Sequence, residues 1–234
     1  MITLTCRAVV MDIEGTTSAA RHVYDVLFPY ARSHMRDWIA AHGSEPATAA
    51  AVAEVAADIG VGAEDSEAII EQLLAWIDDD VKAAPLKTLQ GLIWSEGYAR
   101  GELTSHMFPD VRPALVEWDE AGLMLAIYSS GSVAAQKALF ANAPDGDLTP
   151  LLGAYFDITT AGPKREEPSY RLIADQLGMA PGDLLFLSDI QAELDAAAAA
   201  GWQVVGLLRE GEKQATATGD PHVASFAELS LRPR

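Results

Sequence analysis

The sequence of 234 residues has a single cysteine, Cys6, and few basic side chains. One cysteine excludes an internal disulfide and a zinc site made of several cysteines. Lys and Arg number 16 against 34 Asp and Glu, which gives a formal net charge of −18. Because nucleic acids and anionic membranes attract basic surfaces, neither is expected as a partner of so acidic a chain.

Long apolar runs are also missing from the sequence. None is long enough to span a bilayer, and no basic N-terminal segment leads into an apolar stretch. We therefore expect a cytoplasmic protein. Hydrophobic residues make up 50% and charged residues 21%, which is typical of a soluble globular chain with one domain or a domain carrying a smaller insertion.

Short apolar runs alternate with helical patterns through most of the chain. Such runs read as buried strands, and buried strands joined by helices predict an α/β fold with a parallel sheet covered on both faces. The predicted strands lie in residues 8–11, 123–128, 184–187 and 204–208.

Residues 18–105 differ, because they lack a convincing strand and show apolar residues at helical spacing. Pro29 is expected to start or kink a first helix, Pro85 to begin a later one, and Gly101 to follow its end. The sequence therefore predicts an all-helical domain at 18–105, inserted into a core formed by residues 1–17 and 106–234.

Two carboxylates, Asp12 and Glu14, follow the first predicted strand and precede a Gly-Thr-Thr turn. Ligands of open parallel sheets bind beyond the carboxyl ends of the strands. There, one carboxylate can act as a nucleophile on phosphorus, and the other can protonate the leaving group and later activate water. Taken alone, the spacing fits helix-capping carboxylates about as well.

Later strand ends and loops carry further polar groups. Ser129 and Ser130 follow the second strand and open a helix, where hydroxyl and backbone N–H groups suit a phosphate. Lys164 lies in a loop before another helix, and Asp189 follows the strand at 184–187, where it could complete an oxygen site for Mg²⁺. Glu193, four residues after Asp189, is expected to support Asp189 and not to bind the metal itself. Each also has an ordinary explanation: a serine or aspartate cap, or a solvated lysine.

The order of these groups along the chain favours a catalytic site for phosphate over the ordinary explanations. An acid pair, a hydroxyl, a lysine and a further acid each fall at a predicted strand end or in the loop after it, so several independent ordinary explanations would all have to hold together.

Pro163 and Pro168 near the lysine predict extended backbone at the preceding Gly162 and Glu167. The five histidines show no ligand spacing, and a surface position is expected for His22.

The four polar groups, in their order along the chain, resemble the motifs of the haloacid dehalogenase-like hydrolases. Five segments more closely resemble the enolase-phosphatase (acireductone synthase) family of methionine salvage. The segment DIEGTT at residues 12–17 resembles that family's form of the first motif, with Glu14 where most relatives carry a second aspartate. The other similar segments are residues 86–94, 129–137, 164–170 and 186–189.

The resemblance implies a Rossmann-like core with a helical cap domain and a monomer that binds one Mg²⁺. It implies that Asp12, Glu14 and Asp189 hold the metal, and that Ser129, Ser130 and Lys164 bind the substrate phosphate. Asp12, Glu14 and Lys164 are the implied catalytic residues. The implied reaction converts 2,3-diketo-5-methylthiopentyl-1-phosphate to its enol and then to the acireductone 1,2-dihydroxy-3-keto-5-methylthiopentene and phosphate.

Other classes of protein fit the same residues less well. Another capped phosphatase, acting on a sugar phosphate, is the nearest alternative. A dehalogenase needs neither Mg²⁺ nor the acid at Glu14, and a phospho-receiver module needs a persistent phosphoryl group rather than turnover. An inactive interaction protein would not need all four polar segments intact.

Overall fold

The computed structural model describes residues 1–213, 215–218 and 221–234. The chain forms two compact units. The core unit comprises Met1–His22 and Ser105–Arg234, and the helical unit comprises Val23–Thr104. The predicted core segment ends earlier, at residue 17. Residues 18–22 belong with the core unit because the Ala19 N–H donates to His106 Nδ1 at 3.0 Å and the Ala20 N–H to Glu212 Oε2 at 3.1 Å.

The core unit contains a six-stranded parallel sheet, as the alternation of apolar runs and helical patterns predicts. The strands are β2 (Ala8–Met11), β3 (Met124–Tyr128), β4 (Ala154–Phe156), β5 (Leu184–Ser188), β6 (Gln203–Leu207) and β7 (His222–Val223). Their order in the sheet is β4-β3-β2-β5-β6-β7. Strands β2 and β5 are buried along their whole length, which explains why each reads as an uninterrupted apolar run.

Helices connect these strands, as parallel pairing requires. They are α1 (Ala20–His22), α6 (Val111–Glu120), α7 (Val133–Ala141), α8 (Glu167–Leu177) and α9 (Gln191–Ala199). In α9 the small side chains of Ala196 and Ala197 are buried, so the helix can approach the sheet closely. Tyr170 of α8 packs its ring against Phe186 and Trp202, with centroid distances of 5.2 and 5.5 Å.

A second, two-stranded parallel sheet pairs β1 (Ile2–Cys6) with β8 (Leu229–Pro233). The sequence did not predict these two strands, nor the short β4 and β7. Strand β1 alternates in burial along Ile2–Cys6 and lacks the continuous apolar run that marks β2. Its partner lies at the opposite end of the chain, so no local pattern indicates the pairing.

The helical unit matches the predicted pattern, since every residue from 23 to 104 is described and none lies in a strand. After a π-helical turn at Val23–Leu27, its helices are α2 (Phe28–His42), α3 (Pro46–Ile59), α4 (Ser66–Asp78) and α5 (Ala84–Ala99). Pro85 lies in the first turn of α5, where a missing N–H costs no helical hydrogen bond, and Pro29 is the second residue of α2, directly after the π-helical turn. Fully buried side chains, among them Met35, Ile69 and Leu73, form its core.

Within the described part of the chain, no helix combines the length and the apolar character that crossing a membrane requires.

The lone cysteine is fully buried in β1, and burial raises the pKa of the Cys6 thiol to about 11. Because the reactive species is the thiolate, we expect native protein at pH 8 to resist an aromatic disulfide reagent. The same protein in denaturant should release one equivalent of thiolate. Fast reaction of the native protein would show that the β1–β8 sheet opens readily.

Candidate active site

Neighbouring strands bring the predicted residues to one edge of the main sheet. Met11 at the end of β2 pairs with Ile127 of β3 on one side and with Leu187 of β5 on the other. The residues just beyond these strand ends, Asp12, Ser129 and Asp189, therefore emerge together. The strand order reverses at β2, and such a reversal is where ligands of open parallel sheets bind.

A tight loop after β2 fixes the direction of Asp12. The Ile13 carbonyl accepts hydrogen bonds from the N–H groups of Thr16, Thr17 and Ser18 at 3.1, 2.9 and 2.9 Å. The Thr17 hydroxyl, itself buried, donates to the Asp12 carbonyl at 3.2 Å. These hydrogen bonds hold the backbone that follows the Asp12 side chain. We call residues 13–18 the nucleophile loop, after the role that the sequence predicts for Asp12.

Lys164 lies between two buried carboxylates. Its Nζ is 2.5 Å from Asp12 Oδ1 and 2.7 Å from Glu193 Oε2, and all three side chains are buried. Burial acts to lower the pKa of Lys164, but the charges of Asp12 and Glu193 outweigh it and raise that pKa. Lys164 therefore stays protonated. The Ser188 hydroxyl donates to Glu193 Oε2 at 2.9 Å, which fixes the second carboxylate.

Three buried hydroxyls hold the backbone that carries Lys164. Tyr128 donates to the carbonyl of Gly162, Ser169 to that of Pro163 and Tyr170 to that of Lys164, each at 2.7 Å. These bonds give three consecutive carbonyls a partner away from solvent. The lysine is thus positioned by its backbone as well as by its two carboxylate partners.

The loop around Lys164 corrects the prediction made from its prolines. Gly162 has φ +95°, a conformation that glycine adopts readily and other residues rarely do. Glu167 is the first residue of α8, with Pro168 in the same helical turn. The preference of pre-proline residues for extended backbone is overcome here by the glycine and by the start of the helix.

Glu14 faces residues 129–132, which follow β3 and which we call the serine segment. The Ser129 hydroxyl donates to Glu14 Oε2 at 3.3 Å and accepts from the Gly131 N–H at 3.2 Å. Burial, followed by the nearby charge of Asp12, raises the pKa of Glu14. Ser130 is exposed, and the next serine, Ser132, caps α7 through the Ala135 N–H. The serine segment therefore combines a helix cap at Ser132 with the exposed Ser130 and with a Ser129 hydroxyl that contacts Glu14.

Asp189 is buried, and its two carboxylate oxygens differ in their surroundings. Oδ1 has no hydrogen-bond partner among the described residues, whereas Oδ2 lies against the backbone of Gly15. A Cβ at Gly15 would overlap Oδ2. Burial raises the pKa of Asp189 to about 8, helped by the charges of Asp12 and Glu193. A buried, unpaired acidic oxygen beside other carboxylates is a position suited to a cation.

Two features of the structure differ from what the sequence suggested. Glu193 contacts Lys164 and Ser188, whereas from sequence it was expected to support Asp189. His22 is buried rather than at the surface, with its ring 6.0 Å from that of His106. The i to i+5 spacing of Ser188 and Glu193 was visible in the sequence, but nothing local indicated that the glutamate meets a lysine from another loop.

The fold and the strand-end cluster of acids, serine and lysine are those of a haloacid dehalogenase-like hydrolase. The family model of that description matches residues 6–201.

Comparison with individual proteins narrows this class. The "Enolase-phosphatase E1" of Frankia alni is 51% identical over 221 residues, which are 94% of this chain and 94% of that protein. The protein of the same name from Pseudomonas aeruginosa is 50% identical, over 97% of this chain and 99% of its own length. The crystal structure of the UTR4 protein from Saccharomyces cerevisiae has a TM-score of 0.77 and 30% identity, over 96% of this chain and all of that one. The chain belongs to the enolase-phosphatase family of haloacid dehalogenase-like hydrolases and is a phosphatase.

The contact between Gly15 and Asp189 gives a direct test of the site. Gly15→Ala should abolish phosphatase activity, because its Cβ would displace the Asp189 carboxylate. Its positive φ of +73° adds strain of about 1 kcal/mol.

Gly178→Ala is the matched control for that strain. Gly178 has φ +64° at the end of α8, and nothing lies within 4 Å of a Cβ there. The Gly178→Ala variant should lose thermal stability through the same backbone strain as Gly15→Ala and keep its activity. Equal activity loss in both variants would show that backbone strain, and not the Asp189 contact, is responsible.

Proposed function

We propose that the chain is a Mg²⁺-dependent enolase-phosphatase that converts 2,3-diketo-5-methylthiopentyl-1-phosphate to the acireductone and phosphate. The proposal includes an aspartyl-phosphate on Asp12. The observation that carries it is the buried ion pair of Lys164 with Asp12, beside Glu14 and Ser129 at the same sheet edge. The substrate itself is inferred from the enolase-phosphatase relatives. A monomer in the cytoplasm is part of the proposal. The monomer rests on the family resemblance, and the cytoplasm on the expectation drawn from the apolar pattern of the sequence.

Asp12 is the proposed nucleophile. The nucleophile loop and Lys164 hold its carboxylate in one orientation, so little reorganisation precedes attack on phosphorus. As the phosphoryl group transfers, Lys164 is placed to stabilise charge on its oxygens. Ser129, Ser130 and the backbone N–H groups of the serine segment are the proposed ligands of the same oxygens.

Glu14 is the proposed general acid and base. Its raised pKa favours the protonated form, which can give a proton to the oxygen that leaves phosphorus. The resulting carboxylate then takes a proton from the water that attacks the aspartyl-phosphate, and phosphate is released. The cycle restores both Asp12 and protonated Glu14, so the proton count balances.

The residues present fit a bound Mg²⁺. Asp12 and Asp189 supply buried carboxylate oxygens, one of them without a partner, and Mg²⁺ prefers oxygen ligands. No group of three His, Cys, Asp or Glu side chains suited to a metal occurs among the described residues. Glu14, whose carboxylate contacts Ser129, is therefore proposed to contribute through its main chain or through water. When bound, the cation neutralises phosphate oxygens and offsets the local excess of carboxylates.

One assay tests the proposed activity. With the diketo phosphate and Mg²⁺, we expect release of inorganic phosphate together with the absorbance of the enediol product. A chelator should abolish both signals, and added Mg²⁺ should restore them. Asp12→Asn, which removes the nucleophile and keeps the side-chain shape, is the inactive control. Phosphate release from sugar phosphates but not from the diketo phosphate would indicate a different substrate within the same superfamily.

The role of Glu14 is tested separately. Glu14→Gln keeps the side-chain size but cannot transfer a proton, so we expect slower turnover and a longer-lived phosphoenzyme. Acid quenching followed by intact-protein mass spectrometry measures the phosphorylated fraction over time. Asp12→Asn should show no phosphorylation. Wild-type kinetics in Glu14→Gln would remove Glu14 from the proposed mechanism.

A further inference from the structure

Arg209, just beyond β6, is a buried cation outside the proposed chemical site. Its side chain has two sets of hydrogen bonds. Nε donates to the carbonyl of Thr16 at 2.9 Å, and Nη1 lies 2.7 Å from each carboxylate oxygen of Asp110. Thr16 belongs to the nucleophile loop, whereas Asp110 immediately precedes α6. One guanidinium therefore ties the loop that follows Asp12 to another part of the core unit.

Two aromatic rings fix the plane of this guanidinium. Its central carbon is 4.3 Å from the ring centroid of Phe108 and 4.8 Å from that of Phe226. Cations are attracted to the faces of aromatic rings, and Arg, being planar, can bond along its edge while its faces contact the rings. The direction of the bond to Thr16 is thus set by packing as well as by charge.

Asp110 is itself held firmly. Its Oδ2 accepts from the Ser225 hydroxyl at 2.8 Å and from the Phe226 N–H at 2.6 Å. Burial acts to raise the pKa of Asp110, but Arg209 and these hydrogen bonds outweigh it, so the pKa lies below its usual value. The carboxylate therefore stays charged and gives Arg209 a fixed partner.

Movement of Thr16 would be transmitted to the proposed nucleophile over a short distance. The Thr16 N–H donates to the Ile13 carbonyl, and Ile13 is bonded directly to Asp12. On its other side, Thr16 follows Gly15, whose backbone lies against Asp189 Oδ2. A shift of the Thr16 carbonyl therefore disturbs Asp12 and Asp189, two of the carboxylates that the proposed mechanism uses.

We propose that Arg209 is a positioning residue for phosphoryl transfer, holding the Thr16 carbonyl so that Asp12 keeps its orientation for attack. This inference rests on the proposed nucleophilic role of Asp12. Arg209 does not bind the substrate in this proposal. Its loss should slow the chemical step and leave phosphate binding at Ser129 and Lys164 unchanged.

The test compares Arg209→Lys with wild type. Lysine keeps a positive charge for Asp110, but it lacks the rigid fork that reaches Thr16 at the same time. We expect kcat to fall about tenfold or more, because small misplacements of reacting groups have effects of that size. KM and the inhibition constant of inorganic phosphate should stay within about twofold of wild type. Melting curves and near-ultraviolet circular dichroism establish that the variant is folded at the assay temperature.

Ser225→Ala is the matched control for a purely structural role. It removes a hydrogen bond to Asp110 and the cap of the turn at Phe226–Glu228, but leaves the bond from Arg209 to Thr16. It should lower Tm and keep kcat near the wild-type value. If Arg209→Lys is not folded at the assay temperature, Asp110→Asn replaces it, with a smaller fall in kcat expected at unchanged KM.

Two outcomes overturn the inference. The first is a wild-type kcat in Arg209→Lys, or in Asp110→Asn where that variant replaces it, whatever the change in Tm. The second is a rise in KM and in the phosphate inhibition constant, which would place Arg209 at the ligand. Both leave the proposed function standing, since wild type still releases phosphate. Failure of wild type to turn over the diketo phosphate, or full activity in Asp12→Asn, would instead contradict the proposed function.

Discussion

The ion pairs of Lys164 with Asp12 and Glu193 are the interaction on which the site depends. All three groups are buried, where an unpaired charge is far costlier than in water. Removing one member of a buried pair costs about 3–5 kcal/mol, because its partner keeps its charge without compensation. The carboxylates can therefore stay together only while the loop carrying Lys164 is held in place by Tyr128 and Tyr170.

Charge at this sheet edge also supports the proposed binding of a cation. Four acidic side chains lie in this region: Asp12, Glu14, Asp189 and Glu193. Among the described residues, Lys164 is the one cation that forms an ion pair with any of them, and it pairs with Asp12 and Glu193. Burial, followed by the neighbouring charge of Asp12, raises the pKa values of Glu14, Asp189 and Glu193. In a chain of net charge −18, a phosphate ester needs local positive charge, which a lysine and a divalent metal would supply.

The sequence predicted those strands and helices whose pattern is set by neighbouring residues. Strands β2 and β5 are buried throughout and read as apolar runs, and Pro29 and Pro85 mark helix starts because of their own geometry. Strand β1 was not predicted, because its partner β8 lies at the other end of the chain. His22 was placed at the surface because a single polar side chain carries no pattern that would reveal burial.

The sequence by itself determined the order of chemical groups at the strand ends and the family motif at residues 12–17. Tertiary structure alone decided which of them meet. Ser129 reaches Glu14 across 115 residues, and Arg209 reaches Thr16 across 193. Glu193 joins Lys164 instead of Asp189. Strand register and loop conformation set such contacts between distant residues, and these depend on the packing of the whole core unit, whereas a motif depends only on neighbouring residues.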